Sequence, residues 1–154
     1  DGAHETFDTL RASYQFPDFT LTWENNAGVE SGPYGRSYGV LFRGTNGTLV
    51  ADRGSWQVFP EKEKTAALTV KSDGQDHRKH VANFLDHLKS RDPETACTIQ
   101  NGSLCARYAH AANIAARMGG AALVYDERSE RFDNAAANKF LRPDYRSPWK
   151  FPRV

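Results

Sequence analysis

The stretch FRGTNGTLVADRGSWQVF, residues 42–59, constrains the fold of this chain more than any other. Short runs of β-branched and aromatic residues alternate here with turn-forming residues, a pattern typical of neighbouring antiparallel strands. Asn46 and Gly47 form the dipeptide most compatible with positive φ at both central positions of a type I′ turn. Arg53 and Gly54 mark a second bend. The stretch therefore predicts a three-stranded meander over residues 37–43, 48–52 and 55–59.

A phosphate-binding loop is the alternative interpretation of residues 44–47. A loop of the Walker type needs G-x-x-x-x-G-K-S/T leading into a helix, whose N-terminus helps to bind the anion. Gly47 leads instead into TLVAD, a predicted strand. The G-x-G-x-x-G fingerprint of dinucleotide-binding domains does not occur in the 154 residues. We therefore predict a hairpin here and no nucleotide site.

The other elements follow from periodicity and turn residues. Strands are predicted over residues 6–16, 18–25, 66–71, 123–126 and 130–132, and an irregular loop over residues 26–36. Three helices are predicted. The first covers residues 75–90, with Asp73 and Asp76 as N-caps. The second runs from about Ile99 or Asn101 to Met118 and is ended by Gly119 and Gly120, and the third covers residues 134–141. Prolines make the tail extended. Strands first and helices afterwards predict an α+β fold: an open, mostly antiparallel β-sheet with two main helices packed on one face, in one domain over residues 1–154.

The helical patterns also predict which side chains are buried. One face of the first helix carries Val81, Phe84, Leu85 and Leu88. The buried stripe of the second helix is predicted to contain Leu104, Tyr108, Ala111, Ala112, Ala115 and Met118. We interpret Cys97 and Cys105 as free thiols that behave as small buried hydrophobes.

Net charge and hydropathy argue against some classes of partner and protein. With 20 basic and 19 acidic residues, the net charge is +1, which gives no field that favours nucleic acid or an anionic membrane. No apolar run is long enough to span a membrane, and the first residues, DGAHETFDTL, do not resemble an export signal. Because the chain starts without Met, we expect a processed product or a fragment of a longer protein.

Candidate chemistry is sparse. His77 and His80 have a spacing that suits two metal ligands, with His110 as a possible third. A capping Asp76 and imidazoles packed at the edge of the sheet explain them better, and we predict no metal site. His110 and Asn113 on the second helix either donate hydrogen bonds into a substrate cleft or belong to a solvated face. No Ser-His-Asp or Cys-His arrangement can be assigned, so no catalytic residue is predicted.

Four motifs in a fixed order carry a family resemblance. They are FRGTNGTLVADRGSWQVFPE, DHRKHVANFLDHLKSRDPE, CARYAHAANIAARMGGAALVYD and NAAANKFLRPDYRSPW. Together they resemble the C-terminal domain of bacterial Gfo/Idh/MocA-type oxidoreductases, in particular the branch with H-x-x-N-F and H-x-x-N-I-A helices and a closing Y-R-x-P-W. The resemblance covers nearly the whole chain.

The resemblance implies half of a two-domain enzyme. In this family an N-terminal Rossmann domain binds NAD or NADP, and the C-terminal α+β domain forms part of the substrate cleft and often the oligomer interface. Substrates are mainly sugars, polyols and related compounds. The Rossmann glycines and the segments that carry the family's lysine and histidine are absent from these 154 residues. No catalytic or cofactor-binding residue is therefore carried over, and the implied partners are the parent's Rossmann domain and further copies of the chain through the sheet face.

Several residues match the family's motifs. They are His80, Asn83, Phe84, His110, Asn113, Tyr145, Arg146, Pro148 and Trp149. The resemblance implies that Arg146, Trp149, His110, Asn113 and His80 bind substrate. The alternative is a free-standing protein-interaction or carbohydrate-binding module that uses a sheet face with Trp23, Tyr38 and Trp56.

Overall fold

The computed structural model describes residues 6–142, 145–150 and 152. Their elements in chain order are β1 (Thr9–Gln15), β2 (Thr20–Asn26), β3 (Val40–Arg43), β4 (Gly47–Ala51), β5 (Ser55–Pro60), β6 (Leu68–Lys71), α1 (Asp76–Ser90), α2 (Ile99–Arg117), β7 (Tyr125–Asp126) and β8 (Arg131–Phe132), with 3-10 turns at Pro33–Gly35 and Ala137–Leu141. The predicted α+β class, with open antiparallel sheets and two main helices, is confirmed. The strands divide among three sheets, β1-β2, β3-β4-β5-β6 and β7-β8.

The chain forms two compact units. One consists of residues 1–26 and 100–154, and the other of residues 27–99. The first contains the β1-β2 hairpin, nearly all of α2 and the β7-β8 hairpin, and the second contains the four-stranded sheet and α1. Among the described residues, no helix is long and apolar enough to cross a membrane.

The predicted meander exists and is one strand longer, because β6 pairs with β5. The hairpin between β3 and β4 is confirmed, and it closes with the Gly44 N–H donating to the Gly47 oxygen at 2.9 Å. The type I′ turn is wrong, since neither Asn46 nor Gly47 has a positive φ. Gly47 is needed for a different reason: a Cβ there would lie 2.6 Å from the carbonyl oxygen of Phe59. The glycine permits close approach of β4 to β5.

Helix α1 begins and ends where the sequence predicts, but its cap differs. The N-cap residue is Gln75, which makes no capping side-chain bond, so the prediction of Asp73 and Asp76 as N-caps is wrong. Asp76 lies inside the first turn and accepts a hydrogen bond from Ser72 Oγ at 2.6 Å. Asp73 accepts bonds from the Gln75 N–H and the Lys79 ammonium. Both carboxylates lie near the N-terminus of the helix, where a negative charge interacts favourably with the helix dipole.

Helix α2 supplies the core of its unit. Its C-terminus is confirmed, with Gly119 and Gly120 both at φ +78°. The buried cluster consists of Ile114, Phe132 and Ala137, with Ala111, Met118, Leu123 and Tyr125 packed around it. The predicted stripe omitted Ile114, which is 5% exposed, and wrongly included Leu104, which is 39% exposed. The buried side of α2 is therefore rotated, relative to the predicted stripe, toward the β7-β8 hairpin.

The prediction that the two cysteines are buried is also wrong. Cys97 and Cys105 are free, as predicted, but both are exposed. Cys97 lies before α2, and Cys105 lies within it. The short element predicted over residues 134–141 forms as the 3-10 turn Ala137–Leu141.

Candidate functional site: an uncovered apolar sheet face

The four-stranded sheet has one face that is almost entirely apolar and one that is mixed. Directly paired residues share a face, and side chains alternate between faces along each strand. Two rows of directly paired residues therefore lie on the same side of the sheet. One row consists of Val40, Ala51, Trp56 and Val70, and the other of Phe42, Leu49, Val58 and Leu68. We call these eight residues the apolar face. None of them carries a polar side chain apart from the indole N–H of Trp56.

Most of the apolar face is open to solvent. Val40, Phe42 and Leu68 are about half exposed, at 55%, 60% and 48%, and Trp56 and Val70 are each 38% exposed. Exposed apolar residues are ordinary when scattered singly, but a contiguous patch of this kind marks an interaction surface. A shallow open depression of about 320 Å³ at one end of the sheet has Phe42, Leu49 and Val58 in its lining.

The opposite side of the sheet, which we call the strap face, carries both polar and apolar side chains and is partly covered. Val50 lies on it and is fully buried. The loop between β2 and β3 contacts three alternate residues of β5 on this side, Ser55, Gln57 and Phe59. The Tyr34 ring lies 4.7 Å from the Phe59 ring between centroids, and Arg36 donates hydrogen bonds to Ser55 and Gln57. Within the unit of residues 27–99, the loop thus covers part of the strap face, whereas most of the apolar face is exposed.

Asp52 organises the bend at the edge of the strap face. Its Oδ1 accepts the N–H groups of Gly54 and Ser55 at 2.6 and 2.8 Å, and its Oδ2 accepts a bond from Arg36. The backbone N–H groups of Ser55 and Gly54, together with Arg36, hold the pKa of Asp52 below its ordinary value. The carboxylate is therefore ionised across the neutral range and forms an ion pair with Arg36.

Helix α1 carries a second uncovered apolar surface. Val81, Phe84, Leu85 and Leu88 share one side, as the sequence predicts, and are 40%, 55%, 44% and 62% exposed. On the other side, Asn83 Oδ1 accepts the Ala96 N–H at 2.9 Å, and His87 Nδ1 lies 3.4 Å from Asp92 Oδ2. The segment after α1 folds back onto the polar side of the helix, which leaves the apolar side without a partner inside this unit.

The predicted substrate residues do not form a described cluster. His110 is exposed on α2, and Asn113 donates its amide to the Ala109 oxygen of its own helix at 3.3 Å. Arg146 and Trp149 are exposed at a turn in which the Trp149 N–H donates to the Arg146 oxygen at 3.0 Å. Among the described residues, no hydrogen bond, ion pair or ring contact joins the side chains of these four. His80 is exposed on α1, in the other unit. All five stay predictions.

Two further sequence hypotheses can be compared with the geometry. The aromatic residues Trp23, Tyr38 and Trp56 do not share a sheet face: Trp23 lies on β2 of the two-stranded sheet, Trp56 on β5, and Tyr38 before β3. In the part of the chain that the structure describes, no group of three or more His, Cys, Asp or Glu side chains is placed to hold a metal ion.

Neither the glycine turn at residues 44–47 nor the start of α1 has the geometry of a phosphate-binding site. The glycines at residues 44–47 lead into β4 and not into a helix, so no helix N-terminus lies behind them. The start of α1 is surrounded by the Asp73 and Asp76 carboxylates, which repel phosphate.

The prediction from sequence included association through a sheet face but did not identify the eight residues of the apolar face, and it missed Arg36. The sequence does contain a signal for the apolar face. Apolar residues alternate with period two in VLF, TLVA, SWQVFP and LTVK, and they lie on the same side once the strands are paired. Arg36 had no such signal, since its partners are 16 to 21 residues away and depend on the folded loop.

The fold and the surface define an α+β protein with an uncovered apolar sheet face. No known protein family, curated protein or solved structure was found to match the chain.

Proposed function

We propose that this chain is the C-terminal substrate and oligomerisation domain of a Gfo/Idh/MocA-type NAD(P)-dependent oxidoreductase. The observation that carries the proposal is the ordered set of four motifs between residues 42 and 149. The antiparallel sheets followed by two main helices agree with the architecture that this resemblance implies.

The proposed chemistry is hydride transfer at an oxygen-bearing carbon of a sugar, polyol or related compound. Such a reaction needs a nicotinamide held against that carbon and an acid or base at its hydroxyl or carbonyl oxygen. The chain provides a wall of the substrate cleft, with Arg146, Trp149, His110, Asn113 and His80 as substrate-binding residues. The nicotinamide and the acid-base group belong to a Rossmann domain of the same parent protein. By itself the chain is inactive.

The uncovered surfaces support a role in assembly. The apolar face is mostly exposed, and burying a large apolar side chain stabilises a complex by about 1.5–3 kcal/mol when it is fully covered. A second copy of the chain through the sheet face is the proposed occupant. A free-standing protein-interaction module, the alternative, would also use this face. Trp23 and Trp56 lie on different sheets, so the two residues do not belong to one sheet face that could bind carbohydrate.

Nucleotide titration tests the proposal. We expect no saturable binding when NADH or NADPH is added to the 154-residue chain and followed by nucleotide fluorescence and calorimetry. The sequence contains no glycine fingerprint for the pyrophosphate. A Rossmann dehydrogenase titrated in the same way is the positive control. Tight stoichiometric binding by this chain would contradict the proposal.

The coding sequence upstream of Asp1 distinguishes the two hypotheses. A G-x-G-x-x-G and an E-K-P segment in the same reading frame would support the oxidoreductase, since both are parts of the family's cofactor domain. A stop codon immediately before Asp1 would favour the free-standing module.

A further inference from the structure

We propose that residues 28–39 form a hinged strap, held closed on the strap face of the sheet by a single latch, the side chain of Arg36. Opening of the strap uncovers Val50 and frees the guanidinium group. The proposal concerns the unit of residues 27–99 alone and does not depend on the oxidoreductase hypothesis.

The latch is built from four hydrogen bonds. Arg36 Nη1 donates to the Asp52 carboxylate and to the Ser55 carbonyl oxygen at 3.2 Å. Nη2 donates to Ser55 Oγ at 3.1 Å and to Gln57 Oε1 at 2.8 Å. The Arg36 side chain is only 11% exposed, although it belongs to a surface loop. Charge-assisted bonds of this kind are stronger than neutral ones, and the fixed fork of the guanidinium makes them directional.

The rest of the strap is weakly attached. From residue 27 to residue 40, only Gly32 and Arg36 are not exposed. The second described attachment to the sheet is the Tyr34 ring against Phe59, and Tyr34 is itself 47% exposed. Segments with few buried apolar contacts open at a lower free-energy cost than core elements. Loss of the Arg36 bonds therefore removes most of what holds the strap.

Glycines bound the strap at both ends. Gly28 has φ +80° and Gly39 has φ +150°, conformations that residues with a Cβ rarely adopt. At Gly39 a Cβ would lie 2.5 Å from the Ala51 oxygen, so the closed position depends on glycine there. Tyr34 also has a left-handed backbone, φ 59°, which is unfavourable for a non-glycine residue. The closed conformation is maintained by contacts and not by local preference.

The covered face has a specific reporter position. Val50 is fully buried and lies on the same side as Gln57, its direct pairing partner. A thiol at this position reacts with a labelling reagent only when the strap face opens. Val50→Cys in a Cys97→Ser, Cys105→Ser background gives one reporter, because the two native cysteines are exposed and would otherwise react first.

Thiol labelling of that full-length reporter chain tests the latch. We expect Arg36→Ala to increase the labelling rate of the Val50→Cys thiol at least about tenfold. Arg53→Ala is the matched control, since Arg53 is an exposed arginine in the adjacent bend, and it should leave the rate unchanged. An unchanged rate in Arg36→Ala would overturn the proposal.

A second variant covers the case in which Arg36→Ala unfolds the sheet. Asp52→Asn keeps an Oδ1 acceptor for the Gly54 and Ser55 N–H groups but presents an amide donor to Arg36, so it weakens the latch and retains the bend. Thermal unfolding of each variant, followed by circular dichroism, reports global unfolding separately. Faster labelling at position 50 with an unchanged thermal transition supports the strap. A parallel loss of the transition in both latch variants shows that Arg36 is merely structural and overturns it.

Discussion

Tyr14 connects the first hairpin to α2, where the Phe16 ring also contacts Tyr108. The Tyr14 hydroxyl donates to the Tyr108 carbonyl oxygen at 2.5 Å, and the rings of these two tyrosines meet edge to face with 5.8 Å between centroids. Burial raises the pKa of Tyr14 above its ordinary value, because the low-dielectric surroundings disfavour the phenolate. The neutral phenol is therefore the form that stabilises the unit.

Tyr14→Phe is expected to lower the free energy of unfolding by about 1 kcal/mol at neutral pH, the typical net value of one hydrogen bond. Urea denaturation followed by circular dichroism measures it. Since the pKa of Tyr14 is raised on folding, its contribution is fully present below the ordinary tyrosine pKa of about 10 and is lost as the pH rises through the folded value. The difference between wild type and variant should therefore shrink at alkaline pH.

Tyr38→Phe is the control for that measurement. Tyr38 is 59% exposed and makes no described hydrogen bond through its hydroxyl. Its substitution should change the free energy of unfolding by less than about 0.5 kcal/mol. Equal effects at the two positions would show that the Tyr14 hydrogen bond contributes nothing specific.

At the scale of the element, the β4-β5 pair depends on close approach. Gly47 is opposite Pro60 in the register and faces the Phe59 carbonyl, whereas Gly44 precedes the paired residues. A Cβ at Gly44 would find its nearest atom at 3.7 Å, an ordinary contact. Two glycines of one hairpin therefore have different tolerances, although the sequence pattern treats them alike.

Gly47→Ala is expected to destabilise the sheet by about 1–3 kcal/mol, because the new methyl group must displace the backbone of β5. Gly44→Ala is the matched control and should be neutral or slightly stabilising, since it restricts the unfolded chain. Thermal unfolding of both variants measures the difference. If Gly44→Ala is as costly as Gly47→Ala, backbone conformation and not the 2.6 Å approach sets the cost.

At the scale of the whole molecule, few side chains of the described residues are fully enclosed. The buried apolar set consists of Val50, Ala112, Ile114, Phe132 and Ala137. Large apolar residues on the sheet face and on α1 are exposed, and neither surface has a partner within its own unit. A chain with this distribution is expected to associate.

Sedimentation of the wild-type chain at tens of micromolar should show a dimer or higher oligomer. Phe42→Asp should shift it to monomer, because a carboxylate on the apolar face would be buried without a partner. Thr22→Asp, an exposed position on β2, adds the same charge elsewhere and should leave association unchanged. A wild-type chain that stays strictly monomeric would falsify the assembly role of the apolar face.

Much of the local structure could be predicted because its causes are local. Periodicity and turn residues gave the bounds of α1 within one residue, the end of α2 at Gly119 and Gly120, and every strand of the meander. The hairpin at residues 44–47 follows from glycines that lead into a strand, and this excludes a phosphate loop. Family motifs gave a functional hypothesis for Arg146 and Trp149, which stays a prediction.

Which side chains of a helix or strand are buried, and against which partners, depends on the tertiary structure. Ile114 is buried and Leu104 exposed because the β7-β8 hairpin packs on one side of α2, and no pattern within the helix specifies that side. Arg36 finds its partners only when a distant loop folds over β5. The amino-acid sequence thus fixed which segments are strands and helices, since those preferences act over a few residues. Which faces are covered was decided by contacts between residues far apart in the chain, and those contacts leave the apolar face open.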